Sequence, residues 1–352
     1  MPIRSFRAEN FRCLESVVLD ADPHYNLVYG ANASGKTSLL EALAYLGRGK
    51  SFRGAPAASL VRHGAREFVL FGVVDRDGGR TSRIGVRNGR DGLEVRVDGD
   101  STGGMAGLAD ALPLQVIDPD IHSLVSGGPE ARRRYLDWIA FHVEHDYLAA
   151  WRRFRRALRQ RNAALRAGEA LDAWTSEFIA GGERIEVARR AVLARSSAAL
   201  EGYSTRLLGV PVRFAYRSGW SADKTLPEAV DESLGRDRQL GSTQHGPHRG
   251  DLSLEYDERQ ARRLVSRGQQ KLLACAMVLA AADVVQAALG RRLLLLLDDP
   301  AAELDRDSLA RLLQAVFGLQ AQVIATALES GAVRFPAEPA VFHVERGRLR
   351  RV

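Results

Sequence analysis

Residues 30–37 restrict the possible folds of this chain more than any other segment, because the chain on either side of them must have a defined structure. The apolar run at 26–29 is typical of a strand, and the leucines within 36–43 have helical spacing. A strand, a turn with two glycines and a helix N-terminus in this order predict a phosphate-binding loop. The loop consists of Gly30, Ala31, Asn32, Ala33, Ser34, Gly35, Lys36 and Thr37.

The residue types of this loop suit a nucleoside triphosphate. Gly30 and Gly35 let the backbone curl until successive N–H groups point at phosphate oxygens. The helix dipole adds partial positive charge. Lys36 would reach the β- and γ-phosphates, and the Thr37 hydroxyl would bind Mg²⁺. The alternative is a glycine turn that matches a degenerate pattern by chance and binds nothing.

A second segment, VSRGQQK at 265–271, is typical of a helix N-terminus. Ser266 is a good N-cap, and residues 272–289 are rich in Ala, Leu and Val. Gly268 leaves the backbone open to a ligand, and free N–H groups at a helix start bind anions. Taken alone, this segment also suits an ordinary capped core helix.

A third segment begins with five leucines at 293–297. An apolar run of this length that ends in acidic residues predicts a central strand of a parallel sheet, buried on both faces. Asp298 and Asp299 would then emerge where ligands bind in open α/β sheets. Asp298 would hold Mg²⁺ through water, and Asp299 would orient or deprotonate an attacking water; with Lys36 it is the predicted catalytic pair. The alternative is an Asp-Asp-Pro turn that closes a strand.

The order of these segments, followed by Glu303-Leu304-Asp305, is similar to that in ATPases of the ABC and SMC class. That resemblance implies ATP-dependent dimerisation, in which the signature of one protomer contacts the γ-phosphate held by the other. Asn32 would face the γ-phosphate or the water. The residues that would act in trans are Ser266, Arg267, Gly268 and Gln269.

Further motifs resemble the RecF family of bacterial DNA replication and repair proteins, over residues 3 to 326. The matching segments are NFR at 10–12, GKSFR at 49–53, DPD at 118–120, GPEARR at 128–133 and GPHR at 246–249. The resemblance implies binding of duplex DNA next to single-stranded gaps, partnership with RecR and RecO, and help in loading RecA during gap repair and the SOS response. It also implies that Arg12 lies near the nucleotide, although a surface arginine is an equal alternative. His248 is either catalytic or a structural loop histidine.

The chain departs from the family pattern at several positions. Ala33 stands where glycine is usual, so a positive φ there would be strained. Gly250 follows GPHR in place of Asp, and Arg267 replaces a glycine of transporter signatures. Transporter-type ATPases place a histidine after the strand that follows the two aspartates, and the corresponding segment at 322–328 has none. These departures predict slow ATP hydrolysis that times binding, and we expect DNA to stimulate it.

The charge of the chain suggests a polyanionic partner. The formal net charge is +7 with a pI of about 9.7, and arginines crowd residues 132–166. In this stretch one helical face is apolar, and the predicted DNA-binding residues on the outer face are Arg152, Arg153, Arg156 and Arg159. A solvated basic face is the alternative, and a membrane-surface helix is a weaker one.

The predicted fold class is α/β. We expect a P-loop ABC-type ATPase head, with a parallel core sheet and an antiparallel β subdomain, and an inserted α-helical arm. The head would comprise residues 1–122 and 209–352, and the arm residues 123–208, with helix breaks near Gly168 and at Gly181-Gly182.

Composition favours a cytoplasmic protein. The N-terminus does not resemble a signal peptide, no stretch is uncharged and apolar for the ~20 residues of a membrane span, and the two cysteines, Cys13 and Cys275, suggest no disulfide scaffold. The predicted ligands are ATP, Mg²⁺ and gapped DNA. Two other functions stay open: an ATPase subunit of a transporter, and a DNA-binding scaffold that does not hydrolyse ATP.

Overall fold

The computed structural model describes residues 2–76, 79–90, 92–101, 103–256, 259–260, 266–302 and 304–352. Val265 of the second segment and Glu303, which follows the third segment, lie outside the described residues. The chain forms two compact units, unit 1 (Met1–Ile121 and Gly290–Val352) and unit 2 (His122–Leu289). Unit 2 ends at Leu289, whereas the predicted arm ends at residue 208. The division into head and arm stays a prediction.

The described elements alternate along the chain. The strands are β1 Ile3–Phe11, β2 Leu14–Asp20, β3 Tyr25–Tyr29, β4 Glu67–Asp75, β5 Thr81–Gly89, β6 Gly92–Val97, β7 Leu114–Ile117, β8 Arg213–Arg217, β9 Asp251–Tyr256, β10 Arg259–Gln260, β11 Leu294–Leu297, β12 Gln322–Ala327, β13 Ala340–Glu345 and β14 Arg348–Arg351. The helices are α1 Lys36–Arg48, α2 Gly104–Ala111, α3 Ser123–Ser126, α4 Pro129–Val143, α5 Tyr147–Ala167, α6 Asp172–Leu208, α7 Leu226–Glu232, α8 Leu234–Leu240, α9 Arg267–Leu289 and α10 Arg306–Gly318. Short 3₁₀ turns lie at Ala57–Leu60, Pro119–His122 and Pro247–Arg249.

Unit 1 contains a six-stranded sheet in the order β14-β13-β3-β12-β11-β7. Its strands are parallel except β14, which pairs antiparallel with β13. All four leucines of β11 are buried, which confirms the predicted central strand. The carboxyl ends of β3, β11 and β12 therefore meet at one edge of the sheet.

A second, antiparallel sheet in unit 1 has the order β2-β1-β4-β5-β6. Burial alternates along β4 and β5, so one face packs on the core and the other does not. The two sheets and α1 share one hydrophobic core, which includes Phe6, Phe11, Phe68 and Leu43. The predicted parallel sheet and antiparallel subdomain are both confirmed.

Unit 2 is mainly helical, with the small sheet β10-β9-β8. The predicted helix break near Gly168 is confirmed, since this residue ends α5 with φ 71°. The predicted break at Gly181-Gly182 is wrong, because α6 runs through both residues. A Cβ on Gly181 would lie 3.1 Å from the Cα of Phe154, so this glycine allows α5 and α6 to pack closely.

Helix α9 is long and apolar enough to cross a membrane by length and composition. Most of its side chains are buried within the protein, however, as in the core helix of a globular unit. Cys275 on this helix is fully buried, and both cysteines are free.

Candidate nucleotide-binding site

The phosphate-binding loop joins β3 to α1, as predicted from its sequence. A Cβ on Gly30 would lie 2.2 Å from the Val344 carbonyl oxygen, so no larger residue fits there. Gly35 has φ 117° and precedes the first turn of α1. Ala33 has φ 60°, a left-handed conformation that is costly for a residue with a Cβ. The expected strain at this position is therefore present.

Polar groups in the loop are held close to where a phosphate would bind. The Lys36 ammonium donates to the carbonyl oxygens of Gly30 (2.6 Å) and Ala31 (2.9 Å). Burial lowers the pKa of Lys36, and the carboxylates of Asp299 and Asp298 partly oppose this shift. The buried hydroxyl of Ser34 has no hydrogen-bond partner among the described residues. An unpaired buried hydroxyl is costly, so it suits a ligand that accepts a hydrogen bond.

Asp298 connects three segments that are far apart in sequence. Its Oδ1 accepts hydrogen bonds from Thr37 Oγ1 (3.1 Å) and from Thr326 Oγ1 (2.9 Å). The Thr326 hydroxyl in turn accepts from the backbone N–H of Asp299 (2.9 Å). Burial raises the pKa of Asp298, while the Thr326 and Thr37 hydrogen bonds oppose this shift. Thr326 thus positions both aspartates.

Sequence reasoning missed Thr326, although it lies in the strand predicted at 322–328. The sequence signal that could have identified Thr326 is a threonine near the carboxyl end of a strand that lies next to the strand ending in Asp298. Asp299 has φ 46°, so its backbone turns away from the strand directly after Asp298. Within the described residues no group of three His, Cys, Asp or Glu side chains is arranged to hold a metal ion by itself. The oxygens of Thr37 and Asp298 still suit Mg²⁺, which keeps several waters and takes few protein ligands.

A third carboxylate, that of Asp118, lies close to that of Asp298. Strand β7 pairs with β11 so that Ile117 is opposite Leu297, and Asp118 follows β7 directly. Burial raises the pKa of Asp118 to about 6, and the charges of Asp120 and Asp298 add to this effect. The positive charge of the exposed Arg53 lowers the pKa of Asp298, so the Arg53 guanidinium is near the site.

Arg12 is held by a buried network. Its Nε and Nη2 donate to the two oxygens of Glu41 at 2.9 and 3.0 Å, and Glu41 is fully buried in α1. The Ser51 hydroxyl also donates to Glu41, at 2.5 Å. The NFR and GKSFR motifs are therefore linked through one carboxylate. A contact between Arg12 and a nucleotide stays a prediction.

The predicted signature lies at the start of α9 in unit 2. The Ser266 hydroxyl accepts from the Gln269 N–H (3.3 Å), and the Gln269 side chain accepts from the Ser266 N–H (2.9 Å). This reciprocal capping box confirms the predicted N-cap. Ser266, Arg267 and Gln269 are exposed and Gly268 is partly exposed, so the helix start is accessible. Their action in trans stays a prediction.

The predicted basic face of α5 is exposed, and its arginines are Arg152, Arg153, Arg156 and Arg159. Arg153 pairs with Glu177 at 2.9 Å, which neutralises part of this face. Arg161 from the same arginine-rich stretch is fully buried, and it pairs with the equally buried Asp237 at 2.8 Å. Burial therefore separates a structural arginine from the four candidates for DNA contact.

His248 has the environment of a structural residue. Its ring lies 5.9 Å from that of Phe178 and 6.2 Å from that of Phe154. Its Nε2 donates to the Thr243 carbonyl at 3.0 Å. Burial lowers the pKa of His248 to about 4, an effect that the nearby Arg249 and Arg133 strengthen. Of the two predicted roles, this geometry favours the structural one.

A phosphate loop at the end of one parallel strand, an aspartate pair at the end of another and an antiparallel sheet on the same core define an ABC-type ATPase head. The family model for the RecF/RecN/SMC N-terminal domain matches residues 2–347. A DNA replication and repair protein RecF from Azotobacter vinelandii is 40% identical over 351 residues, which cover 96% of this chain and 95% of the relative. The chain belongs to the RecF family of DNA replication and repair proteins, as its motifs predicted.

Solved structures agree with this fold. A structure of the recombination mediator protein RecF-ATP in the RecFOR pathway superimposes with a TM-score of 0.89 at 23% identity, covering 100% of this chain and 97% of that one. An SMC head bound to the C-terminal winged-helix domain of ScpA superimposes with a TM-score of 0.60 at 17% identity, with the same coverage. The shared architecture extends from RecF to SMC heads.

Proposed function

We propose that this protein is an ATP-operated DNA clamp of recombinational repair, located in the cytoplasm. Two copies close on DNA when ATP is bound, and slow, DNA-stimulated hydrolysis releases them. The observation that carries the proposal is the hydrogen-bonded set Thr37–Asp298–Thr326 beside Lys36, at the carboxyl ends of three parallel strands. The RecF-ATP structure with the same fold supports ATP as the ligand.

Each part of the site has one role in this proposal. Residues 30–37 hold the phosphates, and the unpaired Ser34 hydroxyl donates to one of their oxygens. Thr37 and Asp298 hold Mg²⁺, which neutralises phosphate charge when bound. Asp299 orients the attacking water. Ser266–Gln269 of the second copy contact the γ-phosphate, so the dimer forms only with ATP.

The DNA partner is a duplex next to a single-stranded gap. The exposed arginines of α5 contact phosphates, which gives affinity without base recognition. RecR and RecO are the proposed protein partners, and the outcome is RecA loading during gap repair and SOS induction. Membership of the RecF family supports these assignments.

The test is a salt series of binding to gapped DNA with ATP, with ADP and without nucleotide. ATP should raise the affinity, and Lys36→Ala should lose this increase. Lys224→Ala is a matched control, because it removes the same charge from a side chain in unit 2 that pairs with Glu232. Equal DNA affinity of wild type and Lys36→Ala in ATP would reject the clamp.

Dimerisation is tested separately. Ser266→Arg should keep ATP binding to the monomer but block the ATP-induced dimer in analytical ultracentrifugation. Loss of the N-cap costs about 1 kcal/mol of helix stability, so unfolding curves must show that the variant is folded. A dimer that still forms with ATP would show that the signature does not act in trans.

A further inference from the structure

The C-terminal hairpin of unit 1, formed by β13 and β14, carries a dense and unpaired positive charge. Its exposed arginines are Arg346, Arg348, Arg350 and Arg351. None of their guanidinium groups forms an ion pair with a carboxylate among the described residues. Some other arginines of unit 1 have such partners: Arg4 with Asp75, Arg12 with Glu41, Arg62 with Glu15, Arg96 with Glu94 and Arg291 with Asp110.

The register of the hairpin places two of these charges on one face. Arg350 is opposite His343 and Arg348 is opposite Glu345, and residues two apart on a strand share a face. His343 in turn is opposite Tyr29 on β3, with their rings 4.9 Å apart. The row Arg350–His343–Tyr29 therefore combines a guanidinium with two flat rings.

The tip of the hairpin contacts the phosphate-binding loop. The Gly347 N–H donates to the Ser34 carbonyl at 2.8 Å. The Val344 carbonyl oxygen lies only 2.2 Å from the position that a Cβ of Gly30 would take. A ligand on this hairpin thus lies directly beside the loop that would hold ATP.

We propose that this hairpin is a contact site for the phosphate backbone of DNA. The inference rests on the proposed DNA-binding function and adds a second basic surface, on a different unit from α5. Arginine suits phosphate oxygens through paired N–H donors. The centre of a protein interface is depleted in charged residues, whereas this face carries Arg348, Arg350 and one carboxylate, Glu345, so its charge is net positive. DNA at this position would also contact the element that supports the nucleotide loop.

The test compares two neutralised variants in binding to gapped DNA with ATP. Arg348→Gln/Arg350→Gln removes two charges from the hairpin. Arg87→Gln/Arg96→Gln removes two from the paired strands β5 and β6, where Glu94 accepts both ion pairs. Loss of two phosphate contacts should make the slope of log affinity against log salt concentration less steep by about 1.8. Between 50 and 200 mM salt, wild type should then lose about 12-fold more affinity than the hairpin variant.

The outcomes separate the possible roles. The β5–β6 variant should keep the wild-type slope, and Arg348→Lys/Arg350→Lys should restore it in the hairpin. An unchanged slope in a folded Arg348→Gln/Arg350→Gln variant would overturn the proposal. If the slope is unchanged but this variant is retained less strongly than wild type on a poly-glutamate column, the surface binds an acidic protein instead. An unchanged slope with new aggregation would show that the charges only protect the edge strand. If wild type itself does not bind gapped DNA, the proposed function fails, not this site alone.

Discussion

His248 should make unit 2 less stable in mild acid. Its ring is largely buried against Phe154 and Phe178, and its pKa falls from about 6.5 to about 4 on folding. The unfolded chain therefore binds one more proton than the folded protein between these two values. The stability that neutral His248 contributes is present above pH 6.5 and is lost as the pH falls toward 4.

The size of the effect follows from this shift. At 1.36 kcal/mol per pKa unit, about 3 kcal/mol is lost when the pH reaches 4, and about 2 kcal/mol is already lost between pH 7.5 and 5.0. Gln at position 248 can still donate to the Thr243 carbonyl but does not titrate. The stability advantage of wild type over His248→Gln should therefore shrink by about 2 kcal/mol between pH 7.5 and 5.0.

The assay is urea unfolding followed by tryptophan fluorescence. All four tryptophans lie in unit 2, so the signal reports on the unit that contains His248. His145→Gln, which changes an exposed histidine of the same unit, is the matched control for the substitution. A stability difference between wild type and His248→Gln that stays constant with pH would refute the buried, neutral histidine.

Three further results are expected. Arg161→Met should destabilise unit 2 by about 3–5 kcal/mol in the same fluorescence assay, because it leaves the buried carboxylate of Asp237 without its positively charged partner and with only the Gln244 N–H, among the described residues, still donating to it; a loss under 1 kcal/mol would contradict this pairing. Ala33→Gly should raise the free energy of unfolding by about 0.5–1 kcal/mol in calorimetry, since relief of the left-handed strain exceeds the entropy cost of glycine; a lower melting temperature would contradict it. Thr326→Val should slow ATP hydrolysis at least tenfold while ATP binding persists, because Asp298 loses the hydrogen bond from the Thr326 hydroxyl that positions it; wild-type turnover would show that Thr326 is dispensable.

Local patterns predicted the parts of the nucleotide site that short segments define. The leucine run at 293–297 indicated a buried strand and placed Asp298 at its end. The glycines at 30 and 35 indicated the turn, and Ser266 indicated a helix start. Each of these features depends on residues within one strand or one turn, so periodicity and capping rules were sufficient.

The same rules failed where a side chain is fixed by a distant segment. Gly181 is a close contact between helices rather than a break, because Phe154 lies across from it. Thr326 matters because β12 pairs with β11 and brings its hydroxyl to Asp298. Neither partner is visible in the local sequence.

For this protein, the sequence determined the family, the order of the elements and the chemistry of the phosphate loop, since these follow from local spacing and residue type. Only the tertiary structure decided which arginines are available to a partner. Arg161 and Arg350 both stand in arginine-rich segments, yet one is buried against Asp237 and the other is exposed on an edge strand. The reason is physical: a buried charge needs a partner from another element, and sheet register and helix packing decide which charges find one.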